Sequence, residues 1–277
     1  MRGSAVRKWV HRHPLERGFE QEVVDEVSRC WDGVPLPKTL DALLDEARSQ
    51  LLEDLLDARA ASCDGPEEAG RHLQITSLLP IEALLKDEGS VLLLTPSYGN
   101  WSAIAPALAR RGYRVGLLDL RPESRRPDHH LPAAPGLDLR HLPNRGYAGA
   151  LVRFAMEPGS VIVALADEGC GPRWANGALF GRQVRVGSTP FELARRAQLG
   201  VLPVFAVREH GLPRLVLEKP LRIADSGSPD HDLDANASRW LKLLERNARR
   251  FPEHYLAQLI TRRAGRRTDT VPLFVEA

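Results

Sequence analysis

Short apolar runs alternate with helical patterns through the second half of this chain, and this alternation restricts the fold more than any other feature. The apolar runs cover residues 91–94, 115–120, 161–166, 201–206 and 214–217. Segments of helical periodicity separate them at residues 101–110, 146–156 and 189–198. Strands that are apolar on both faces, with helices between them, are typical of a largely parallel sheet covered on both sides. The sequence therefore predicts an α/β fold with a central, largely parallel sheet flanked by helices.

The first part of the chain, by contrast, has only helical patterns. Residues 15–86 carry apolar side chains near the spacing of 3.6, with a break at Pro35 and Pro37. A third helix is predicted for residues 67–86, with Ile75 facing inward. We therefore predict a helical N-terminal region of residues 1–88 packed on a core of residues 89–277, together forming one structural domain. A late amphipathic helix is predicted for residues 232–250, and a loose basic tail for residues 262–267.

Composition excludes several classes of protein. The net charge of +2 gives no indication of a nucleic-acid partner, although Arg makes up nearly all of the 38 basic residues. The cysteines Cys30, Cys63 and Cys170 form neither a disulfide framework nor a zinc-binding spacing, which favours a reducing cytoplasm. No apolar run reaches the roughly 18 residues that a membrane-spanning helix needs, which leaves only peripheral membrane contact open. No phosphate-binding loop, dinucleotide fingerprint or zinc motif is present, so no bound cofactor is predicted.

The loops that follow the predicted strands are the expected place for a site, because open α/β sheets bind ligands at the carboxyl ends of their strands. Asp167 directly follows one apolar run and could orient a substrate, or simply begin a loop. Arg121 ends another run and could meet a phosphate. Glu192 lies early in a predicted helix, where an acid stabilises the helix dipole, and this structural role is the favoured interpretation.

Four sequence blocks occur in a recognisable order. They are LLLTPSYGNWSAI at residues 92–104, DEGCGPR at 167–173, LFGRQVRVGSTPFELARRAQLGVLPVF at 179–205 and FPEHYLAQLITRR at 251–263. Together they resemble the bacterial lipid A late acyltransferases, within the lysophospholipid acyltransferase superfamily. The resemblance covers most of the chain. It implies an acyl-CoA or acyl-carrier-protein thioester as donor, and in that family the catalytic pair is His-x-x-x-x-Asp/Glu.

The resemblance breaks at that pair. The matching positions are Ser97 and Ser102, whereas Gly99, Asn100 and Trp101 keep the family pattern. In the family, the His deprotonates the acceptor hydroxyl and the acid orients the His. A second departure is the absence of the N-terminal membrane segment that the family members carry.

Three mechanisms stay open. Ser97 could be a nucleophile that takes its base from His129, His130 or His141. Alternatively, a reactive amine acceptor could need no base, and proximity would then carry the rate. Finally, catalysis could be lost, leaving a protein that binds a ligand or a partner.

The predicted function is therefore acyl transfer from a CoA or carrier-protein thioester to a small amine or hydroxyl acceptor, with an inactive binding homologue as the alternative. The predicted catalytic residues are Ser97, Ser102 and Asp167. The predicted substrate-binding residues are Asn100, Trp101, Arg121, Arg173, Arg182 and Glu192.

Overall fold

A computed structural model of the chain describes residues 24–25, 27–32, 35–63, 73–118, 139–142, 148–167 and 173–264. Its central sheet has seven strands, in the order β1-β9-β8-β2-β5-β3-β4. These strands are β1 (Gln74–Ile75), β2 (Val91–Thr95), β3 (Arg114–Leu118), β4 (Leu139–Leu142), β5 (Ser160–Leu165), β8 (Gly200–Glu209) and β9 (Leu212–Leu217). All neighbouring strands in the sheet are parallel except β8 and β9. The predicted α/β class with a largely parallel sheet is confirmed.

Helices cover both faces of this sheet. They are α1 (Leu40–Cys63), α2 (Leu79–Glu88), α3 (Ile104–Ala109), α4 (Ala148–Met156), α5 (Thr189–Arg196), α6 (Pro229–Arg250) and α7 (Pro252–Ala264). Proline occupies the first turn of α2, α5 and α6, where its missing N–H costs no hydrogen bond. Helix α1 packs against α7, so the helical N-terminal region contacts the last described helix.

Alternate residues of the central strands enter two different hydrophobic clusters. In β2, Leu92 and Leu94 belong to a cluster that includes Trp240 of α6. Val91 and Leu93 belong to a second cluster, which includes Ile81 of α2. The period of two along a strand places these sets on opposite faces of the sheet. Because both faces are covered by helices, every residue of β2 is apolar or fully buried, which explains the continuous apolar run.

The predicted third helix is wrong over residues 73–78, the first described part of its span. Gln74 and Ile75 form strand β1, which pairs in parallel with β9, and α2 begins only at Leu79. The Ser77 hydroxyl accepts a hydrogen bond from the backbone N–H of Leu79 at 3.2 Å, and Pro80 follows in the first turn. Both features favour a helix start at this point. The boundary proposed near residue 88 stays a prediction, and residues 67–72 lie outside the described ones.

A hairpin that the sequence patterns did not reveal lies beside the sheet. It consists of β6 (Trp174–Leu179) and β7 (Arg182–Gly187), which pair in antiparallel fashion. Its two-residue loop, Phe180 and Gly181, has φ values of +50° and +75°. Positive φ at both positions is the geometry of the type I′ turn, which suits the twist of paired strands. The hairpin packs against α6.

The chain leaves β2 and β8 in opposite directions. From β2 it passes over β5 to β3, and from β8 it turns back through a hairpin to β9. The carboxyl ends of these two adjacent strands therefore form a topological switch point, where α/β sheets bind ligands. The last residue pair between β2 and β8 joins Leu94 to Pro203, but β8 continues to Glu209. The later residues of β8 can therefore contact the turn after β2.

Candidate functional site

The turn after β2 lies directly on strand β8. Gly99 has a φ of +63°, and a Cβ atom added to it would lie 1.9 Å from the backbone oxygen of Ala206 in β8. The next residue, Asn100, donates its backbone N–H to that same oxygen at 3.1 Å. Only glycine fits a positive φ together with so close an approach. The turn is thus fixed to the sheet at the switch point.

Ser97 and Asp167, predicted from two separate loops, meet at this turn. The backbone N–H of Ser97 donates to both carboxylate oxygens of Asp167, at 2.9 and 3.0 Å. The Ser97 hydroxyl also donates to Asp167 Oδ2, at 3.0 Å. These donors hold Asp167 as an acceptor of hydrogen bonds and fix the orientation of its carboxylate.

A third side chain, from helix α7, completes this group. Gln258 Nε2 donates to Ser97 Oγ at 2.6 Å and also to Asp167 Oδ2. Asp167 and Gln258 are each 5% exposed, whereas Ser97 is half-buried. Ser97 Oγ therefore accepts from one nearly buried side chain and donates to another. We call Ser97, Asp167 and Gln258 the serine cluster.

A second group of polar side chains holds the other end of the turn. Asn100 Nδ2 donates to Asp57 Oδ2 at 2.9 Å, and Arg208 of β8 contacts the same oxygen at 2.5 Å. Arg208 also donates to the backbone oxygen of Gly211 at 3.0 Å. Asn100 makes no side-chain cap for the short 3₁₀ turn Trp101–Ala103 that follows it. Its amide instead joins the turn to α1, which carries Asp57.

Asp54 lies one helical turn before Asp57 on α1. Gln50 Nε2 donates to Asp54 Oδ1 at 2.7 Å. Burial raises the pKa of Asp54 to about 7, and the nearby Asp57 carboxylate adds to this rise, while the Gln50 hydrogen bond and the positive charge of Arg208 oppose it. Asp54 therefore changes its charge near neutral pH, beside the ion pair of Asp57 and Arg208.

A buried histidine lies under the turn. His254 of α7 stacks on Tyr98, with ring centroids 6.4 Å apart, and accepts a hydrogen bond at Nε2 from the Arg208 backbone N–H at 2.8 Å. Its proton is consequently on Nδ1, which finds no hydrogen-bond partner among the described residues, and neither does the Tyr98 hydroxyl. Burial lowers the pKa of His254 to about 4, so the ring is neutral at physiological pH. A base this weak is poorly matched to proton abstraction near pH 7.

The three imidazoles expected to supply a base are not among the described side chains. His129 and His130 lie outside the described residues, as does the side chain of His141, whose backbone is in β4. Arg121 also lies outside the described residues. The described part of the chain thus brings a carboxylate, and no histidine hydrogen bond, to the Ser97 hydroxyl.

Among the described residues, none of the other predicted site residues hydrogen-bonds to the serine cluster. Ser102 and Trp101 are half-buried in the 3₁₀ turn, and Trp101 packs against the cluster that contains α2. Arg173 is exposed, with its guanidinium 3.9 Å from Asp230. Arg182 begins β7.

Glu192 is engaged at the start of α5. Its Oε1 accepts the Ser188 hydroxyl at 2.7 Å, and its Oε2 lies 3.6 Å from Arg196 Nη2. Both contacts are local to the helix, which matches the structural role favoured from the sequence. Whether any of these residues also contacts a substrate stays a prediction.

Four residues of the turn network were not singled out from the sequence. Gln258 and His254 lie within the FPEHYLAQLITRR block, which was noted only for its resemblance. Spacing could have identified them, because positions 254 and 258 are one helical turn apart and share a face of α7. Asp57 and Arg208 gave no comparable signal, since one is an acid on a helix rich in acids and the other a basic residue at the end of a strand.

Among the described residues, no cluster of histidine, cysteine, aspartate or glutamate side chains is suited to holding a metal ion. In the same part of the chain, no helix combines the length and the apolar character required to cross a membrane. Comparison with models of known protein families gives no match, and no protein of curated function matches the sequence.

Proposed function

We propose that this protein transfers an acyl group from a CoA or carrier-protein thioester to a small amine or hydroxyl acceptor at the serine cluster. The observation that carries the proposal is the contact of the Ser97 hydroxyl with Asp167 Oδ2 at 3.0 Å, at the carboxyl end of the central strand β2. The order of the four sequence blocks, with the family's catalytic His matching Ser97, supports the same location for the chemistry.

The reaction would run as a direct attack by the acceptor. The acceptor nitrogen or oxygen forms a bond to the thioester carbonyl carbon, the carbon–sulfur bond breaks, and the acceptor's proton ends on the released thiol. Asp167 would accept a hydrogen bond from the acceptor and help to remove its proton. Ser97 would keep the carboxylate oriented through its N–H and its hydroxyl. Because a carboxylate is in general a weak base, this scheme favours acceptors that are nucleophilic in their neutral form.

A thiol-release assay tests the proposal. The purified protein is incubated with acetyl-, octanoyl- and palmitoyl-CoA, each with ethanolamine, hydroxylamine or glycerol, and the products are identified by mass spectrometry. We expect Asp167→Asn to lower kcat/KM by about 10²-fold or more, as for the loss of an acid–base group. Asp87→Asn, at an exposed position on α2, should retain full activity. If no donor releases thiol above the protein-free control, the proposal is wrong.

The same assay separates two mechanisms. If Ser97 carries the acyl group, the intact protein gains the mass of the acyl chain during turnover, and Ser97→Ala loses both the adduct and the activity. If the acceptor attacks directly, no adduct forms, and Ser97→Ala keeps part of its activity because Asp167 remains. Ser49→Ala, at an exposed position on α1, serves as the matched control.

One observation favours the alternative of an inactive binding homologue. The Ser97 hydroxyl already donates to one side chain and accepts from another, and both partners are nearly buried. Such a closed group can fasten helix α7 to the sheet without any chemistry. Binding of an acyl-CoA in calorimetry, without thiol release under any condition, would establish this alternative.

A cytoplasmic location is part of the same proposal. It follows from the cysteine pattern and from the thioester donors, and the protein's partners would be a small acceptor and an acyl carrier protein, with peripheral membrane contact as a further option. Fractionation of source cells, followed by immunodetection, tests the location directly. Recovery in an oxidising compartment would contradict it.

A further inference from the structure

The side-chain amide of Gln258 makes two hydrogen bonds with a single nitrogen atom. One goes to the Ser97 hydroxyl oxygen at 2.6 Å and the other to the Asp167 carboxylate. The carboxamide thus contacts both side chains that the proposed reaction uses. It is carried by α7, a helix that contributes no other side chain to the serine cluster among the described hydrogen bonds.

We infer that Gln258 occupies the place of the acceptor's nitrogen and that the acceptor is a primary amine, which displaces this side chain when it binds. The inference rests on the proposed function and narrows it. A ligand nitrogen at the position of Gln258 Nε2 would meet two hydrogen-bond acceptors. They are the uncharged hydroxyl oxygen of Ser97 and a carboxylate oxygen of Asp167.

The two contacts discriminate between acceptor classes. An alcohol has one O–H hydrogen, so it can donate to Ser97 or to Asp167 but not to both. A primary amine has two N–H hydrogens, so it can make both contacts in the neutral form that attacks the thioester. Its ammonium form has three and pairs with the carboxylate charge, and it must give up one proton before it can attack. An alcohol in the place of Gln258 would therefore keep only one of the two hydrogen bonds that the Gln258 nitrogen makes. Amines are favoured by number of donors and by charge.

We expect displacement to occur by rotation of the Gln258 side chain, which is unbranched and lies beside the half-buried Ser97. The closed arrangement competes with the ligand and weakens its apparent affinity by the fraction of time that the site is open. Shortening the side chain should remove this competition.

The test measures binding of ethylammonium chloride without any thioester, by the rise of the melting temperature with ligand concentration. Ethanol and acetamide are the matched neutral probes. We expect Gln258→Ala to bind ethylammonium about 10- to 100-fold more tightly than the unmodified protein, as for the release of a hydrogen bond to a charged group. Asp167→Asn in the same background should abolish that binding. Gln183→Ala, at an exposed position on β7, should change nothing.

Other results would overturn the inference. If acetamide binds Gln258→Ala more tightly than ethylammonium does, the glutamine merely fills space and its removal leaves an amide-shaped hole. Equal binding of ethanol and ethylammonium would exclude the amine preference. If Gln258→Ala does not fold, Gln258→Asn is used, because its amide is one methylene too short to reach both partners.

Turnover separates this inference from the proposed function. Tight, Asp167-dependent binding of ethylammonium without any thiol release would support the amine site and contradict acyl transfer. A different result would contradict the amine site and support acyl transfer. In that result, thiol release proceeds with glycerol as acceptor, and the KM for the amine is the same in Gln258→Ala as in the unmodified protein. If both hold, Gln258→Ala should lower the KM for the amine and leave the KM for the thioester unchanged.

Discussion

Asp54 should make the protein less stable as the pH rises through neutrality. Its pKa is about 7 in the folded protein against an ordinary value of 3.8, so the folded state binds this proton more tightly than the unfolded state does. The contribution of Asp54 to stability is therefore fully present below pH 3.8 and is lost as the pH rises to about 7. The difference corresponds to about 4 kcal/mol, an upper bound because the side chain keeps some contact with solvent.

The substitution Asp54→Asn removes the titrating group and keeps an oxygen that can accept the Gln50 hydrogen bond. We expect it to stabilise the protein by about 2–4 kcal/mol near pH 8 and by roughly half as much or less near pH 5, where Asp54 is protonated in the folded state but mostly ionised in the unfolded state. Urea unfolding at both pH values gives the two free energies. The exposed Asp87→Asn is the control, because it alters the charge without altering a buried group.

The comparison of variant and unmodified protein isolates Asp54, since every other titrating group is common to both. The prediction depends on burial of the carboxyl beside Asp57, and the reasoning is refuted by one result. If the two proteins lose stability with the same slope between pH 5 and pH 8, Asp54 is solvated in the folded state and has an ordinary pKa.

Three further substitutions test the structure around the turn. Gly99→Ala should destabilise the protein by more than about 3 kcal/mol, because the new Cβ meets the Ala206 oxygen, whereas Gly112→Ala, with φ of +85° but nothing within 4 Å, should cost only about 1 kcal/mol in thermal unfolding. Arg208→Met should lower the free energy of unfolding in urea by about 1–3 kcal/mol, since Asp57 would lose its charged partner. The control Arg48→Met, whose partner Asp45 is exposed, should lower it by about 0–1 kcal/mol, and equal losses in the two variants would contradict the packing of Asp57 and Arg208. Ser188→Ala should cost about 1 kcal/mol through loss of the Glu192 contact, and a matching loss in Ser188→Ala/Glu192→Ala would confirm the coupling in a double-mutant cycle.

The sheet was predictable because its signal is local. Each central strand is a run of apolar residues, and a run such as residues 91–94 can satisfy both faces only in a covered sheet. The hairpin was harder to predict. Its alternation of buried Val184 and Val186 with exposed Gln183 and Arg185 is short, and its turn places Phe180 in a left-handed conformation that sequence rules seldom assign to phenylalanine.

The site was predictable only in part, because some of its contacts join segments that are far apart in the sequence. Ser97 and Asp167 could be paired in advance because both follow strands, and carboxyl ends of parallel strands meet at one edge. Gln258 is 161 residues from Ser97, and Asp57 is 151 residues from Arg208, so these contacts depend on how α1 and α7 pack on the finished sheet. No local pattern carries that information.

The position of Gln258 has a consequence for the order of folding. Strands β2 and β5 and the loops that carry Ser97 and Asp167 all precede α7 in the chain. Because synthesis delivers the N-terminal parts first, these strands can pair while α7 is still inside the ribosome. During that interval the serine and the carboxylate face the solvent without the glutamine. Arrival of α7 then closes the group, so a nascent chain stalled before residue 252 should present the proposed amine-binding place in its open state.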